Sequence, residues 1–270
     1  MKEFNPCDIC VEKKCPTNGK CSCETCNNKD KCQKYRGLSA TIRITTKCTQ
    51  KCNHCCFSCS PDSKDMMTIK TAKNISLFIK NNGISNINLM GGEIFCNPNY
   101  KNILSELIPA ASDRVRLVTN SDWVEQDKSF IEFISKFKNI YLALSRDKFH
   151  TNKHVNEAEK ILKEKNIPYV ISDKDIVNDN SVVPIGRASF GYGFYSSMGC
   201  YCHNPEHFYN FLIDELGEIY KCGMGVWNYA NINDYINGGF RERFKYFNKV
   251  FYKTFILNCA SCIRAYNSPR

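Results

Sequence analysis

A β-branched run, Thr41-Ile42-Arg43-Ile44-Thr45-Thr46, delivers the chain straight into three closely spaced thiols, Cys48, Cys52 and Cys55. Such a run favours an extended strand, so the thiols belong to a loop at that strand's carboxyl end. A structural zinc site uses four closed ligands. Three thiolates can instead hold three irons of a cubane [4Fe–4S] cluster and leave the fourth iron open.

Further along, Ile87-Asn88-Leu89-Met90 reads as a buried strand that runs into Gly91-Gly92-Glu93. Two glycines ending a strand allow a ligand close to the backbone, and the Glu93 carboxylate can accept from an ammonium group. In this order, the thiol triplet and Gly91-Gly92-Glu93 resemble the signature of the radical S-adenosylmethionine (SAM) superfamily. The resemblance implies that Cys48, Cys52 and Cys55 hold a [4Fe–4S] cluster whose open iron is chelated by the amino and carboxylate groups of SAM. It implies that Gly91, Gly92 and Glu93 bind the SAM amino group. It also implies reductive cleavage of SAM to methionine and a 5′-deoxyadenosyl radical that abstracts a substrate hydrogen. The electron would come from a low-potential donor such as flavodoxin or ferredoxin. The family often places an aromatic residue just before the third cysteine, near the adenine. His54 stands there, planar but polar.

From Leu38 to about Gly186, short β-branched runs alternate with helical patterns, the mark of repeated β–α units on a parallel sheet. Strands are expected at 40–46, 86–90, 114–119, 140–145, 168–172 and 181–185. Apolar helix stripes run through Ala72, Ile75, Phe78 and Ile79, and through Ile103, Leu104, Leu107 and Ile108. Two more run through Phe130, Ile131, Ile134 and Phe137, and through Val155, Ala158, Ile161 and Leu162. The stripes are core and carry no chemistry. The expected fold is α/β: a partial (β/α)6 radical SAM barrel over residues 37–186, with a Cys-rich N-terminal extension and a small C-terminal α+β auxiliary-cluster module. Ligands of parallel-sheet proteins gather at the strands' carboxyl ends, where both motifs would lie.

The two flanks are rich in thiols. Residues 1–36 contain Cys7, Cys10, Cys15, Cys21, Cys23, Cys26 and Cys32 with few large apolar residues, so metal or docking is needed to order them. The pairs Cys7/Cys10 and Cys23/Cys26 have the two-residue gap of metal ligands, for iron–sulfur or zinc. Residues 187–270 break the β–α rhythm with a glycine–aromatic stretch at 190–195, a hairpin-like pattern over 208–220 and a basic helical pattern near 240–255. Cys200 or Cys202, with Cys222, Cys259 and Cys262, would supply four thiolates, for an iron–sulfur cluster or a structural zinc. This set resembles the twitch version of the SPASM domain, which appends an auxiliary [4Fe–4S] cluster to a radical SAM barrel. Val183-Pro184-Ile185-Gly186-Arg187-Ala188 resembles the end-of-barrel segment of those enzymes. His203, beside Cys202, is a further possible ligand.

Some single residues have two readings each. Ser145 ends a strand and is either a SAM ribose or carboxylate contact or a cap in a β–α loop. Asn120 and Ser121, after Val118-Thr119, share that choice. Cys96, three residues past Glu93, is either a hydrogen donor, proton donor or substrate anchor in the cavity, or a buried structural thiol. Cys56 and Cys59 directly follow the triplet and are either alternative ligands in a mismetallated protein or partners of the amino-terminal cysteines in another site. His150, His154 and His207 show no metal-site spacing.

Composition narrows the setting. Eighteen cysteines in a chain of 270 residues would suit an extracellular disulfide scaffold, but such scaffolds are shorter, and Met1–Pro6 has no apolar signal-like core. No run approaches the length of a membrane span, so a reducing cytoplasm with thiols kept for metals is expected. The net charge of +10 is scattered, apart from a basic excess near the carboxyl end that could steer an anionic substrate or reductant. Nucleic acid is not expected as a partner. The function expected is a radical SAM oxidoreductase acting on a peptide or protein. The alternatives are a dehydrogenase of a small polar metabolite and, in another class, a zinc scaffold or RNA-binding protein.

Overall fold

The computed structural model describes residues 39–173, 210–220, 228–240 and 243. Five expected strands are present: β1 (Ser39–Arg43), β2 (Asn86–Met90), β3 (Arg114–Thr119), β4 (Ile140–Arg146) and β5 (Tyr169–Asp173). Between them run α1 (Ile69–Asn81), α2 (Tyr100–Leu107), α3 (Trp123–Gln126), α4 (Ser129–Ile134) and α5 (Val155–Glu164). All five strands pair in parallel with their sequence neighbours, Ser39 opposite Asn86 and Val115 opposite Ile140. The sixth expected strand, 181–185, and the cysteine-rich stretch 1–36 lie outside the described residues.

Three further strands join the opposite edge: β6 (Asn210–Ile213), β7 (Glu218–Tyr220) and β8 (Asn228–Asn231). β6 runs parallel to β1, and β7 and β8 continue antiparallel, giving the order β5-β4-β3-β2-β1-β6-β7-β8. The expected hairpin is therefore present, and it extends the sheet of the β–α units. The described fold is an open, mixed sheet.

Burial explains why these segments hold. α1 starts at Thr68, whose hydroxyl accepts from the Thr71 N–H (3.0 Å), and it buries Ala72, Ile75, Phe78 and Ile79 as its stripe requires. β4 buries Leu142, Ala143 and Leu144 in succession, as a central parallel strand covered on both faces does. Phe137 falls beyond α4 and is half-buried, packed edge-on against Phe133 (5.4 Å). Phe240 packs on Phe78 (5.0 Å) and Phe211 (4.9 Å), so the chain after β8 shares the core of the first helix. Buried Asn82 completes the join. Its amide donates to the Tyr235 carbonyl (2.9 Å) and accepts from the Phe240 N–H (2.9 Å). Among the described residues no helix is long and apolar enough to cross a membrane.

Candidate active site

Beyond Arg43 the chain stays beside β2. The Ile44 N–H donates to the Met90 carbonyl (2.8 Å), and the carbonyls of Thr45 and Lys47 accept from the Gly92 (2.7 Å) and Glu93 (2.9 Å) N–H groups. The thiol loop thus leaves the sheet hydrogen-bonded to Gly91-Gly92-Glu93. Its base closes where the Cys48 N–H donates to the Ser60 carbonyl (3.0 Å) and the Ser60 N–H returns to Thr46 (3.2 Å). Inside, two turns wind it, from Cys52 to Cys55 and from Cys55 to Ser58.

The glycines serve a purpose the sequence did not reveal. A β-carbon on Gly91 would lie 2.6 Å from the Thr45 carbonyl oxygen, and one on Gly92 would lie 2.1 Å from that of Lys47. The close approach expected of a ligand is made here by the protein's own thiol loop.

Cys48, Cys52 and Cys55 are half-buried, and none is in a disulfide. Backbone donors face two of the sulfurs: Gln50 N–H to Cys48 Sγ (3.5 Å) and Cys59 N–H to Cys55 Sγ (3.3 Å). Burial pushes the Cys48 thiol up to about 12, against the pull of the Gln50 N–H, and the charges of Glu93, Cys52 and Cys96 add to it. A metal centre reverses that balance, because a coordinating thiol is deprotonated outright. Unbridged thiols with backbone N–H groups aimed at them suit a thiolate-bound cluster. Cys59 is buried against Cys55, whose hydrogen bond raises the Cys59 thiol pKa first, with burial adding to it.

Glu93 is 1% exposed at the centre of the site. Its carboxylate accepts from the Asn120 N–H (2.7 Å) and the Ile94 N–H (3.2 Å). Burial pushes its pKa up to about 8, although the hydrogen bonds from Asn120, Thr119 and Ile94 pull the other way. Cys96 ends the short turn Ile94–Cys96, half-buried, and its thiol is raised to about 12 by burial and then by Glu93, with Lys47 opposing. It therefore sits among Glu93, Lys47 and Cys48.

The Asn120 side chain is occupied within the protein. Its amide donates to Thr49 Oγ1 (2.8 Å) and accepts from the Asp122 N–H (3.0 Å). Between them, buried Ser121 adopts φ 75°, a left-handed turn that is costly for a residue with a β-carbon. Ser145 is half-buried near the end of β4, opposite Ser172 of β5.

The β4 end brings a cluster that spacing did not show. His54 stacks on Phe149 (4.5 Å between centroids, 23°) and meets His150 edge-on (5.0 Å). The Asp147 carboxylate contacts His150 Nδ1 (2.8 Å) and accepts from the Phe149 N–H (2.9 Å). Burial raises the Asp147 pKa, but the His150 contact, the Phe149 N–H and His54 together bring it down to about 2. Ligand atoms of His54, Asp147 and His150 lie within 4.8 Å of one another. His150 therefore joins the site through the fold, although its sequence spacing gave no hint. Cys200, Cys202, Cys222, Cys259, Cys262, Cys7, Cys10, Cys23 and Cys26 lie outside the described residues.

Comparison with known proteins agrees with this geometry. Residues 42–171 match the Radical SAM superfamily. The chain is 29% identical over 116 residues to YydG of Bacillus subtilis (strain 168), a protein named for peptide biosynthesis, covering 42% of this chain and 36% of YydG. It is 28% identical over 118 residues to the antilisterial bacteriocin subtilosin biosynthesis protein AlbA of the same strain, covering 43% of this chain and 26% of AlbA. The matched stretch thus spans roughly a third or less of these relatives' own length. Among solved structures, BtrN in complex with AdoMet and 2-DOIA superposes with a TM-score of 0.55 at 16% identity, over 80% of this chain and 87% of BtrN. The protein anSMEcpe, with bound AdoMet and the Kp18Cys peptide, gives 0.53 at 14% identity, over 78% and 83%. At such identities these two likenesses concern the fold alone. Residues 42–171, which carry both the thiol triplet and Gly91-Gly92-Glu93, are thus the part of the chain that matches the Radical SAM superfamily, and the match supports an enzyme.

Proposed function

We propose that the protein is a radical SAM oxidoreductase that modifies a peptide or protein, with an auxiliary [4Fe–4S] cluster assisting. The observation that carries this reading is the hydrogen-bonded pairing of the Cys48 loop with Gly91-Gly92-Glu93, beside a buried carboxylate. The similarity to one protein named for peptide biosynthesis and one named for bacteriocin biosynthesis supports the substrate class. SAM, bound to a [4Fe–4S] cluster, would supply a 5′-deoxyadenosyl radical able to abstract hydrogen from an unactivated C–H bond. Cys48, Cys52 and Cys55 would hold the cluster, and the Gly91–Glu93 backbone and Glu93 would receive the SAM amino group. His54, in its stack with Phe149, would flank the adenine. Ser145, near the end of β4, and Asn120, just past β3, are candidates for further SAM contacts, Asn120 through a side chain that Thr49 and Asp122 already hold. Cys96 is the candidate hydrogen or proton donor, next to Lys47 and Glu93. The auxiliary cluster would be held by Cys222, Cys259 and Cys262 with Cys200 or Cys202. A third metal site would use Cys7, Cys10, Cys23 and Cys26. A flavodoxin- or ferredoxin-type donor would supply the electron, and a reducing cytoplasm suits so many thiols.

Anaerobic reconstitution followed by dithionite and SAM should yield 5′-deoxyadenosine, and Cys52→Ala should abolish it. Deuterium in a candidate peptide should appear in the deoxyadenosine. Reconstituted protein that forms none would overturn the radical SAM reaction. Transfer only from small polar metabolites would overturn the substrate class.

A further inference from the structure

We propose that Gln50 is a positioning residue that keeps the reduction potential of the Cys48–Cys52–Cys55 cluster low, an inference that rests on the radical SAM reading above. Gln50 is 7% exposed, between the first two thiols of the loop. Its side-chain nitrogen donates to Asp122 Oδ2 (3.1 Å) and Thr151 Oγ1 (3.0 Å), while its oxygen accepts from the Thr151 N–H (3.2 Å). A backbone N–H only donates and a carboxylate only accepts, so turning the amide over would forfeit both bonds. The side-chain oxygen is therefore locked toward Cys52 Sγ, 3.7 Å away, where it accepts from the thiol. The Gln50 backbone N–H meanwhile faces Cys48 Sγ at 3.5 Å. One residue thus touches two of the three sulfurs and ties the loop to the ends of β3 and β4.

A thiolate has no hydrogen to give. With Cys52 ligating iron, the locked oxygen presents a partial negative charge to that sulfur. The Asp122 carboxylate stands behind the amide and is itself held by the Thr49 hydroxyl. Net charge and hydrogen bonding at the sulfurs set the potential of an iron–sulfur cluster. An acceptor where a donor could stand disfavours the extra electron and makes the reduced cluster a stronger reductant. Reductive opening of a sulfonium bond calls for such a reductant.

The test is an EPR-monitored redox titration of the reconstituted full-length chain, following the reduced-cluster signal that changes when SAM is added. Gln50→Met is close in volume, keeps the backbone N–H and removes the oxygen. It should shift the midpoint potential upward, giving a larger reduced fraction at a fixed poise. Gln50→Glu gives up the bond donated to Asp122 but keeps an acceptor in the loop and adds a negative charge, so it should leave the potential unchanged or lower. A Gln50→Met midpoint equal to wild type would overturn the inference even if iron were lost to a chelator faster, because that pair of results marks a brace and nothing more. Wild-type protein with no SAM-responsive cluster would sink the radical SAM reading and this inference together.

Discussion

Gly92 lies so close to Cys48 that a β-carbon added to the glycine would come within 2.8 Å of the Cys48 β-carbon. The Gly-Gly-Glu segment and the first thiol are therefore one packed unit, joined by the bond from the Gly92 N–H to the Thr45 carbonyl (2.7 Å). Gly92→Ala must displace either β2 or the thiol loop. It should abolish the SAM-responsive EPR signal of reconstituted protein. Gly91→Ala, whose added carbon meets the Thr45 carbonyl oxygen at 2.6 Å, should weaken that signal less. Overpacking of this kind costs about 1–3 kcal/mol, so thermal unfolding should show both variants folded but less stable.

Glu93 makes stability depend on pH. Its carboxyl is ordinarily half-protonated near 4.5 but is pushed up to about 8 in the fold, chiefly by burial. Between those values the folded protein keeps a proton that the unfolded chain has released. Stability therefore falls as pH rises from about 4.5 to about 8 and levels off above that window. Glu93→Gln removes the titration. Urea unfolding at pH 5 and pH 8 should show a smaller difference for the variant than for wild type.

Arg43 fastens the far side of the sheet to the site. It donates to both carboxylate oxygens of Glu215 (2.7 and 3.2 Å), and its guanidinium lies over the Phe57 ring of the thiol loop (5.3 Å). Arg43→Ala strands the buried carboxylate of Glu215, whereas Asp214 keeps its bonds from the Leu216 and Glu218 N–H groups and the Tyr220 hydroxyl. Removing one partner of such a pair costs on the order of 3 kcal/mol. Chemical denaturation should register that loss, and Arg43→Lys should recover only part of it because an ammonium cannot match both oxygens.

The stack of His54 on Phe149 predicts a split between two variants at one position. His54→Phe keeps a ring against Phe149 and should bind SAM within a few-fold of wild type. His54→Ala loses a contact of roughly 1 kcal/mol and should weaken binding about five-fold, as read by equilibrium dialysis of cluster-loaded protein.

Much of this architecture was legible in the linear chain. The alternation that placed strands at 86–90 and 114–119 found them at Asn86–Met90 and Arg114–Thr119, because burial on one face imposes a period that composition cannot hide. Helix stripes such as Ala72, Ile75 and Phe78 were equally plain. The thiol triplet and Gly91-Gly92-Glu93 were visible as local motifs, since their chemistry depends on spacing within a few residues.

What the linear chain left open required contacts between distant segments. No local pattern says that Asn120 will be consumed by Thr49 and Glu93, that His54 will meet Asp147 and His150, or that β6 will pair with β1. The same holds for the glycines, whose missing β-carbons make room for the loop carrying Cys48. The sequence by itself determined the elements and the thiols, because helix and strand periods and ligand spacings are short-range properties. Only the tertiary structure decided which side chains surround those thiols, because that depends on how parallel strands bring the carboxyl ends of β1 to β4 together.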